Sequence, residues 1–319
     1  MTSIVEIRNL KKQYAPTAGQ KEGQLAVKGI DLMIEKGEIF SLLGPNGAGK
    51  TTTISMMSGL LPPTAGDVLI GGHSIVAEPM AVKKMIGVVP QEIALYPQLS
   101  ARQNLEFFGK MYGLGGGELA KRCDEVLDFI GLKDRQKERV DSYSGGMKRR
   151  VNIGVGLLHK PALVFMDEPT VGIDPQSRRN ILDAVKQLNQ QGMTVLYTTH
   201  YMEEAEELSN RVAIIDHGEI IAEGKQGDLI QKVGEKDAIL VKVGEDGQKA
   251  QQAVKEAHGV DGVTFSDGVL RILAGRGRQA LPNVIKALSE AGVVIQSVEV
   301  KEPNLEAVFL HLTGRALRD

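Results

Sequence analysis

Apolar residues fall in two rhythms along the first two thirds of the chain. In "IVEIRNL" and "AVKGIDLMI" they alternate with polar ones, the period of two expected of strands with one buried face, and the polar stretch "APTAGQKEGQ" between them reads as a loop. "GEIFSLLG", "ALVFMDEP" and "MTVLYTTH" are nearly continuous apolar runs, as in strands covered on both faces. "DVLIGG" and "MIGVVPQ" read as shorter strands after the turn "LPPTAG". Helical spacing marks "KTTTISMMSGL", "ARQNLEFFGKMYGL", "ELAKRCDEVLDFIGL", the segment from "YSGG" to about His159, "PQSRRNILDAVKQLNQQG" and "MEEAEELSN". "RVAIIDHGEIIAEG" closes the region as a hairpin around Asp216 to Gly218. Strands alternating with helices predict an α/β domain with a parallel core, decorated by an antiparallel layer and a helical insertion.

After about Val233 the pattern changes. "AILVKV", "AQQAVKEAHG", "VDGVTFSDG", "VLRILAG", "ALPNVIKALSEAG" and "VVIQSVEV" read β-α-β-β-α-β, followed by the amphipathic "NLEAVFLHLTG". That order predicts a small ferredoxin-like α+β domain. The expected boundaries are 1–232 for the first domain, with a helical subdomain at about 92–143, and 236–319 for the second. "EGKQGDLIQKVGEKD" is the expected linker region.

Composition narrows the partners. The formal net charge is −2 and the apolar fraction 42%, so no concentrated positive surface argues for nucleic acid. The single cysteine, Cys123, excludes an intrachain disulfide and suits a reducing compartment. The first residues lack the apolar core of a signal peptide, and no apolar run reaches the length of a membrane span. The expectation is a cytoplasmic protein that meets a membrane only through a partner.

The chemistry concentrates in a few short motifs. "GPNGAGKT", Gly44 to Thr51, fits a phosphate-binding loop at Gly44, Gly49, Lys50 and Thr51, and lies between an expected strand and an expected helix. The glycines would let backbone N–H groups wrap the phosphates, with Gly44, Pro45, Asn46, Gly47, Ala48, Gly49 and Thr52 as the binding-loop residues. Lys50 would reach the β and γ oxygens, and the Thr51 hydroxyl would ligate Mg²⁺. Asp167 ends an apolar strand where it would meet the metal, and Glu168 follows where a carboxylate could polarise the attacking water. Gln91 and His200 end two further strands, at the sheet edge where ligands of open α/β folds bind. His200 is a candidate for the γ-phosphate, and Gln91 for the metal or the water. A second anion-binding device, "YSGGM", begins at Tyr143. Ser144 can cap a helix there, and Gly145 and Gly146 let a ligand approach. Lys148, Arg149 and Arg150 read as residues solvating that helix, and the histidines other than His200 as surface or packing residues.

The ordered set of phosphate loop, Gln91, "YSGGM", "LVFMDEP", "GID" and "TTH" resembles the ATP-binding subunit of an ABC transporter over roughly residues 1–230. The resemblance implies a P-loop NTPase fold of ABC type and two subunits paired head to tail. Each would place Ser144, Gly145 and Gly146 on the ATP of the other, with Asp174 in the segment communicating between the two sites. Tyr14 falls where the family often stacks an aromatic on adenine, and by itself reads equally as the end of an edge strand. "YSGGM" departs from the commoner "LSGGQ" and, with the closing "VKEPNLEAVFLHLTG", resembles the branch serving type 2 exporters of drugs, antibiotics, lipids or polysaccharide. The implied protein is an ATPase on the cytoplasmic face of the membrane. It would use ATP and Mg²⁺ to power a separate membrane-spanning permease, and pair with a second copy or a homologous subunit. The helical subdomain would receive the permease. For the C-terminal domain, ligand sensing, dimer bracing and structural support stay open. The alternative is a soluble ABC-type ATPase acting on nucleic acid or ribosomes. Such proteins usually carry two motif sets, a long coiled coil or zinc motifs, and none of these is present.

Overall fold

The computed structural model describes residues 2–16, 23–233, 236–243, 247–301 and 303–314. Most of the expected loop "APTAGQKEGQ" lies outside the described residues. The chain divides into two compact units between Lys225 and Gln226.

In the first unit, β1 (Ser3–Gln13), β2 (Leu25–Glu35), β4 (Ala65–Ile70) and β5 (His73–Ser74) form an antiparallel sheet in the order β2-β1-β4-β5. Alternation along β1 turns Val5 and Ile7 inward and Glu6 and Arg8 outward, as the sequence period requires. A second sheet follows the order β10-β9-β3-β8-β7-β6. It is built from β3 (Ile39–Leu43), β6 (Ile86–Val89), β7 (Leu163–Asp167), β8 (Thr194–Thr199), β9 (Arg211–Asp216) and β10 (Glu219–Gly224). All its neighbours are parallel except the β9–β10 hairpin. Every residue of β3, β7 and β8 is buried, which explains why these strands read as unbroken apolar runs.

Helices connect and cover the strands. They are α1 (Lys50–Met57), α2 (Pro79–Met85), α3 (Ala101–Met111), α4 (Gly116–Phe129), α5 (Gly145–Leu157), α6 (Pro175–Gln190) and α7 (Met202–Leu208). α3 starts on a capping box formed by Ser100 and Gln103. With α4 it encloses a separate apolar core, containing Leu105, Leu119, Cys123 and Leu127, into which α5 sends Val151 and Val155. α5 is buried on nearly all sides and continues into the core beneath the parallel sheet through Ile153 and Leu157.

In the second unit, α8 (Gln226–Val233) precedes β11 (Asp237–Lys242), α9 (Gly247–Val254), β12 (Gly262–Ser266), β13 (Val269–Ala274), α10 (Gly277–Glu290), β14 (Ser297–Lys301) and α11 (Leu305–Thr313). The four strands are antiparallel in the order β12-β13-β11-β14. α9 and α10 cover the face that carries Ile239, Val241, Leu270 and Ile272.

Two expectations need correction. The stretch before "IGVV" contains α2, a single short helix opened by Pro79 at a position where a missing N–H costs nothing, and Met85 ends that helix rather than beginning a strand. The expected linker contains α8, which packs with α11 inside the second unit. The boundary therefore falls one helix earlier than 232, because α8, which buries Leu229, belongs with the second unit.

Candidate functional site

The parallel strands β3, β7 and β8 end side by side, and their carboxyl ends carry the phosphate loop, Asp167–Glu168 and His200. The loop is forced into its path by close backbone approach. Gly49 has φ +108°, and a Cβ there would lie 2.8 Å from the Ala26 carbonyl oxygen. It leads into α1, whose first turn has no side-chain cap. The N–H groups at that end are left for an anion.

A cavity of about 310 Å³ opens over this turn. It is lined by Tyr14, Gln24, Ala26, the loop residues Asn46, Gly47 and Gly49 to Thr52, Gln91 and Glu168. Sequence elements some 150 residues apart are thus brought to one wall. Tyr14 is about 40% exposed, its hydroxyl 3.4 Å from Thr52 Oγ1 and its ring 5.7 Å from Lys12 Nζ.

Lys50 is buried and fully engaged. Its Nζ donates to the carbonyl oxygens of Gly44 (2.7 Å) and Pro45 (3.0 Å) and lies 2.9 Å from Glu168 Oε1. The other carboxylate oxygen of Glu168 lies 3.2 Å from His200 Nδ1, and the His200 ring leans on Tyr201 at 4.2 Å. Glu168 adopts a left-handed backbone, φ +43°, which a non-glycine residue holds only when its surroundings impose it. Thr198 imposes it here: the Glu168 N–H donates to both the Thr198 hydroxyl (3.0 Å) and the Thr198 carbonyl (3.2 Å). The same hydroxyl donates to Asp167 Oδ1 at 2.6 Å. Burial raises the Asp167 carboxyl above its ordinary range, against the hydrogen bonds from Thr198 and Thr51 that favour its charged form.

Ser144, Gly145 and Gly146 do not line this cavity. Ser144 caps α5 by accepting from the Met147 N–H at 3.3 Å. Gly146 meets a neighbouring helix: a Cβ there would stand 2.1 Å from Ser177 Oγ. Asp174 caps α6 by accepting from the Ser177 N–H at 2.9 Å, a bond that holds its carboxyl below the usual range. Asp174 too lies outside the cavity lining.

Sequence reasoning missed Thr198, whose signal was its place in β8 directly opposite Asp167 of β7. It also misread Arg149 and Arg150. Arg149 is 3% exposed and donates to the Pro90 carbonyl (2.7 Å) and the Gln91 carbonyl; Arg150 donates to the Ile130 carbonyl at 2.9 Å. Neither solvates the helix. His159 is a packing residue, its Nε2 bonded to the Ile86 carbonyl and its ring stacked on Tyr112.

A parallel α/β sheet with a glycine loop, an uncapped helix start and a buried Lys–Glu–His cluster at its carboxyl edge defines a nucleoside-triphosphate-hydrolysing domain. Comparison with known proteins makes the class specific. Residues 27–171 match the family described as ABC transporter. The chain is 49% identical over 318 residues to the linearmycin resistance ATP-binding protein LnrL of Bacillus subtilis (strain 168), covering 99% of this chain and 100% of that protein. It is 41% identical over 315 residues to the daunorubicin resistance ATP-binding protein DrrA3 of Streptomyces coeruleorubidus, covering 98% of this chain and 96% of that one. Among solved structures, the dimeric ATP-binding cassette MJ0796 bound to ADP and Pi aligns with a TM-score of 0.63 at 30% identity, over 69% of this chain and 98% of that one. The chain belongs to the ABC transporter family as an ATP-binding, ATP-hydrolysing subunit. Among the described residues, no helix is long and apolar enough to cross a membrane.

Proposed function

We propose that this subunit powers the export of antibiotic-like compounds through a separate membrane-spanning permease, working as a head-to-tail pair at the cytoplasmic membrane face. The resistance functions in the names of LnrL and DrrA3 support the substrate class. One observation carries the pairing. Lys50, Thr51, Gln91 and Glu168 line one cavity, while the second anion device, Ser144 to Gly146, lines none of it.

In this reading the phosphate loop and the start of α1 bind the phosphates, and Tyr14 at the cavity rim meets the base. Lys50 exchanges its carbonyl partners for phosphate oxygens and stabilises charge that develops on the γ-phosphoryl group. Thr51 and Asp167 present hydroxyl and carboxylate oxygens in mutual hydrogen bonding, a hard donor set that fits Mg²⁺, and Gln91 lines the same cavity as Thr51. Bound there, Mg²⁺ would neutralise phosphate charge. Glu168 orients and polarises the attacking water, and His200 holds Glu168 while facing the γ-phosphate. Ser144 uses its hydroxyl oxygen to accept from Met147, so its O–H stays available for a phosphate oxygen of the facing subunit. Asp174, which caps α6 beside Gly146, falls in the segment that links the two sites.

Light scattering after gel filtration of Glu168→Gln protein tests this reading. A monomer that becomes a dimer only with Mg²⁺ and ATP is expected; a protein that binds ATP and stays monomeric overturns self-pairing.

A further inference from the structure

Arg149 and Asn152 lie three residues apart on α5 and so share a face of that helix. That face grips the backbone of segment 90–94. Arg149 donates through Nη1 to the Pro90 carbonyl and through Nη2 to the Gln91 carbonyl. Asn152 Nδ2 donates to the carbonyls of Pro90 (3.4 Å) and Glu92 (3.5 Å), and its Oδ1 accepts from the Ala94 N–H at 3.3 Å. Arg149 is 3% exposed, its Nε has no hydrogen-bond partner, and no salt bridge neutralises it among the described residues. A buried guanidinium held by carbonyl oxygens alone is a costly way to fill space, since an apolar side chain of the same volume would serve packing better. What the planar fork adds is a fixed two-point attachment to successive carbonyls. The grip joins two parts of the machinery. Segment 90–94 carries Gln91, which lines this subunit's nucleotide cavity. α5 opens with Ser144, which does not line that cavity.

We propose that Arg149, assisted by Asn152, is a positioning residue that makes Gln91 and the Ser144 helix end move as one body. Occupancy of the subunit's own cavity then sets how the Ser144 end of α5 meets the partner's nucleotide. This rests on the head-to-tail reading above. A residue with only a structural role would change stability without separating the two segments.

The test is amide hydrogen exchange combined with ATPase kinetics. In Arg149→Met, exchange of the peptide spanning residues 91–96 is expected to speed up about ten-fold, because the Gln91 carbonyl loses its side-chain partner and the Pro90 carbonyl keeps only the longer bond from Asn152. Apparent KM for ATP should stay within about two-fold of wild type while kcat falls about ten-fold, since no cavity-lining group is removed and only alignment is lost. In a Glu168→Gln background, Mg²⁺ and ATP should protect peptides 91–96 and 143–150 together, and Arg149→Met should leave the second unprotected. Equal protection of both peptides in Arg149→Met, or an unchanged kcat, overturns the proposal while leaving head-to-tail pairing intact. Absence of ATP-dependent protection at 143–150 in Glu168→Gln alone overturns the pairing and the coupling with it. If Arg149→Met fails to fold, Asn152→Ala, which removes the neighbouring bonds, should give the same separation at about three-fold; an Asn152→Ala protein with coupled protection and full kcat refutes it.

Discussion

Lys50 and Glu168 form an ion pair across the floor of the cavity, Nζ to Oε1 2.9 Å, with each side chain no more than 5% exposed. An entering triphosphate therefore competes with a carboxylate for the same ammonium. Removing the carboxylate leaves Lys50 as a buried cation short of a counter-charge, a situation that polyphosphate relieves. Glu168→Gln should bind ATP about ten-fold more tightly than wild type, by fluorescent-nucleotide titration, while releasing almost no phosphate. Equal affinity in the two proteins would show that the pair does not oppose binding.

The converse substitution should hurt twice. Lys50→Ala removes charge-assisted bonds to the phosphates, which should weaken ATP binding about one hundred-fold. It also strands Glu168 in a buried site, so its thermal midpoint should fall below wild type. Unchanged nucleotide affinity would contradict the assignment of the loop.

Asp167 gives a pH-dependent expectation. Its folded-state pKa is raised by burial, so the folded chain holds this proton more tightly than the unfolded chain. That contribution is fully present below the unfolded pKa and is lost as pH rises through the folded one, leaving a destabilising carboxylate at neutral pH. Asp167→Asn should raise the melting temperature by about 2 °C at pH 7, with the gain shrinking on acidification. Calorimetry across pH 4 to 8, at the edges of which the two proteins should differ least and most, checks the sign.

Gly146 separates ligand contact from packing. A methyl group there would collide with the Ser177 side chain, whose Oγ and Cβ would lie 2.1 and 2.4 Å away. Gly146→Ala should cost about 2 kcal/mol as the two helix ends part. Adding Ser177→Gly opens that space and should recover most of the lost stability by thermal melting. Recovery of ATPase activity along with stability would mean that this glycine serves helix packing alone.

Cys123, on α4, is buried in the core shared with α3, its thiol pushed up to about 11. The native protein should resist thiol reagents at pH 8, reacting only as the helical subdomain opens. Rapid labelling under native conditions would mean that this core opens easily.

The parts of the site that were legible in the sequence are those whose chemistry is local. The phosphate loop needs its glycines, lysine and threonine within eight positions, and Asp167 and Glu168 are announced by the apolar run before them. Gln91 and His200 were found because strand ends converge in a parallel sheet, whatever separates them along the chain. Arg149 was misread because charge on a helix predicts solvent, and its carbonyl partners lie 58 and 59 residues away. α2 and α8 escaped for a different reason: each buries a single side chain, Val82 or Leu229, too few to set up a helical period. The second role of Gly146 was hidden because a glycine has no side chain to declare which neighbour it accommodates.

The hydroxyl of Thr198 touches Asp167 and the backbone of Glu168 only because β7 and β8 pair with Asp167 opposite Thr198. A one-residue slip between these strands would bury nearly as much hydrocarbon, for every position in both is enclosed. It would nevertheless turn that hydroxyl to the opposite face. Hydrophobicity alone thus polices the register of this sheet weakly, and chemistry polices it strictly. In a refolding experiment, recovered turnover therefore counts correctly zipped molecules, whereas recovered helicity or compactness would also count the misaligned ones.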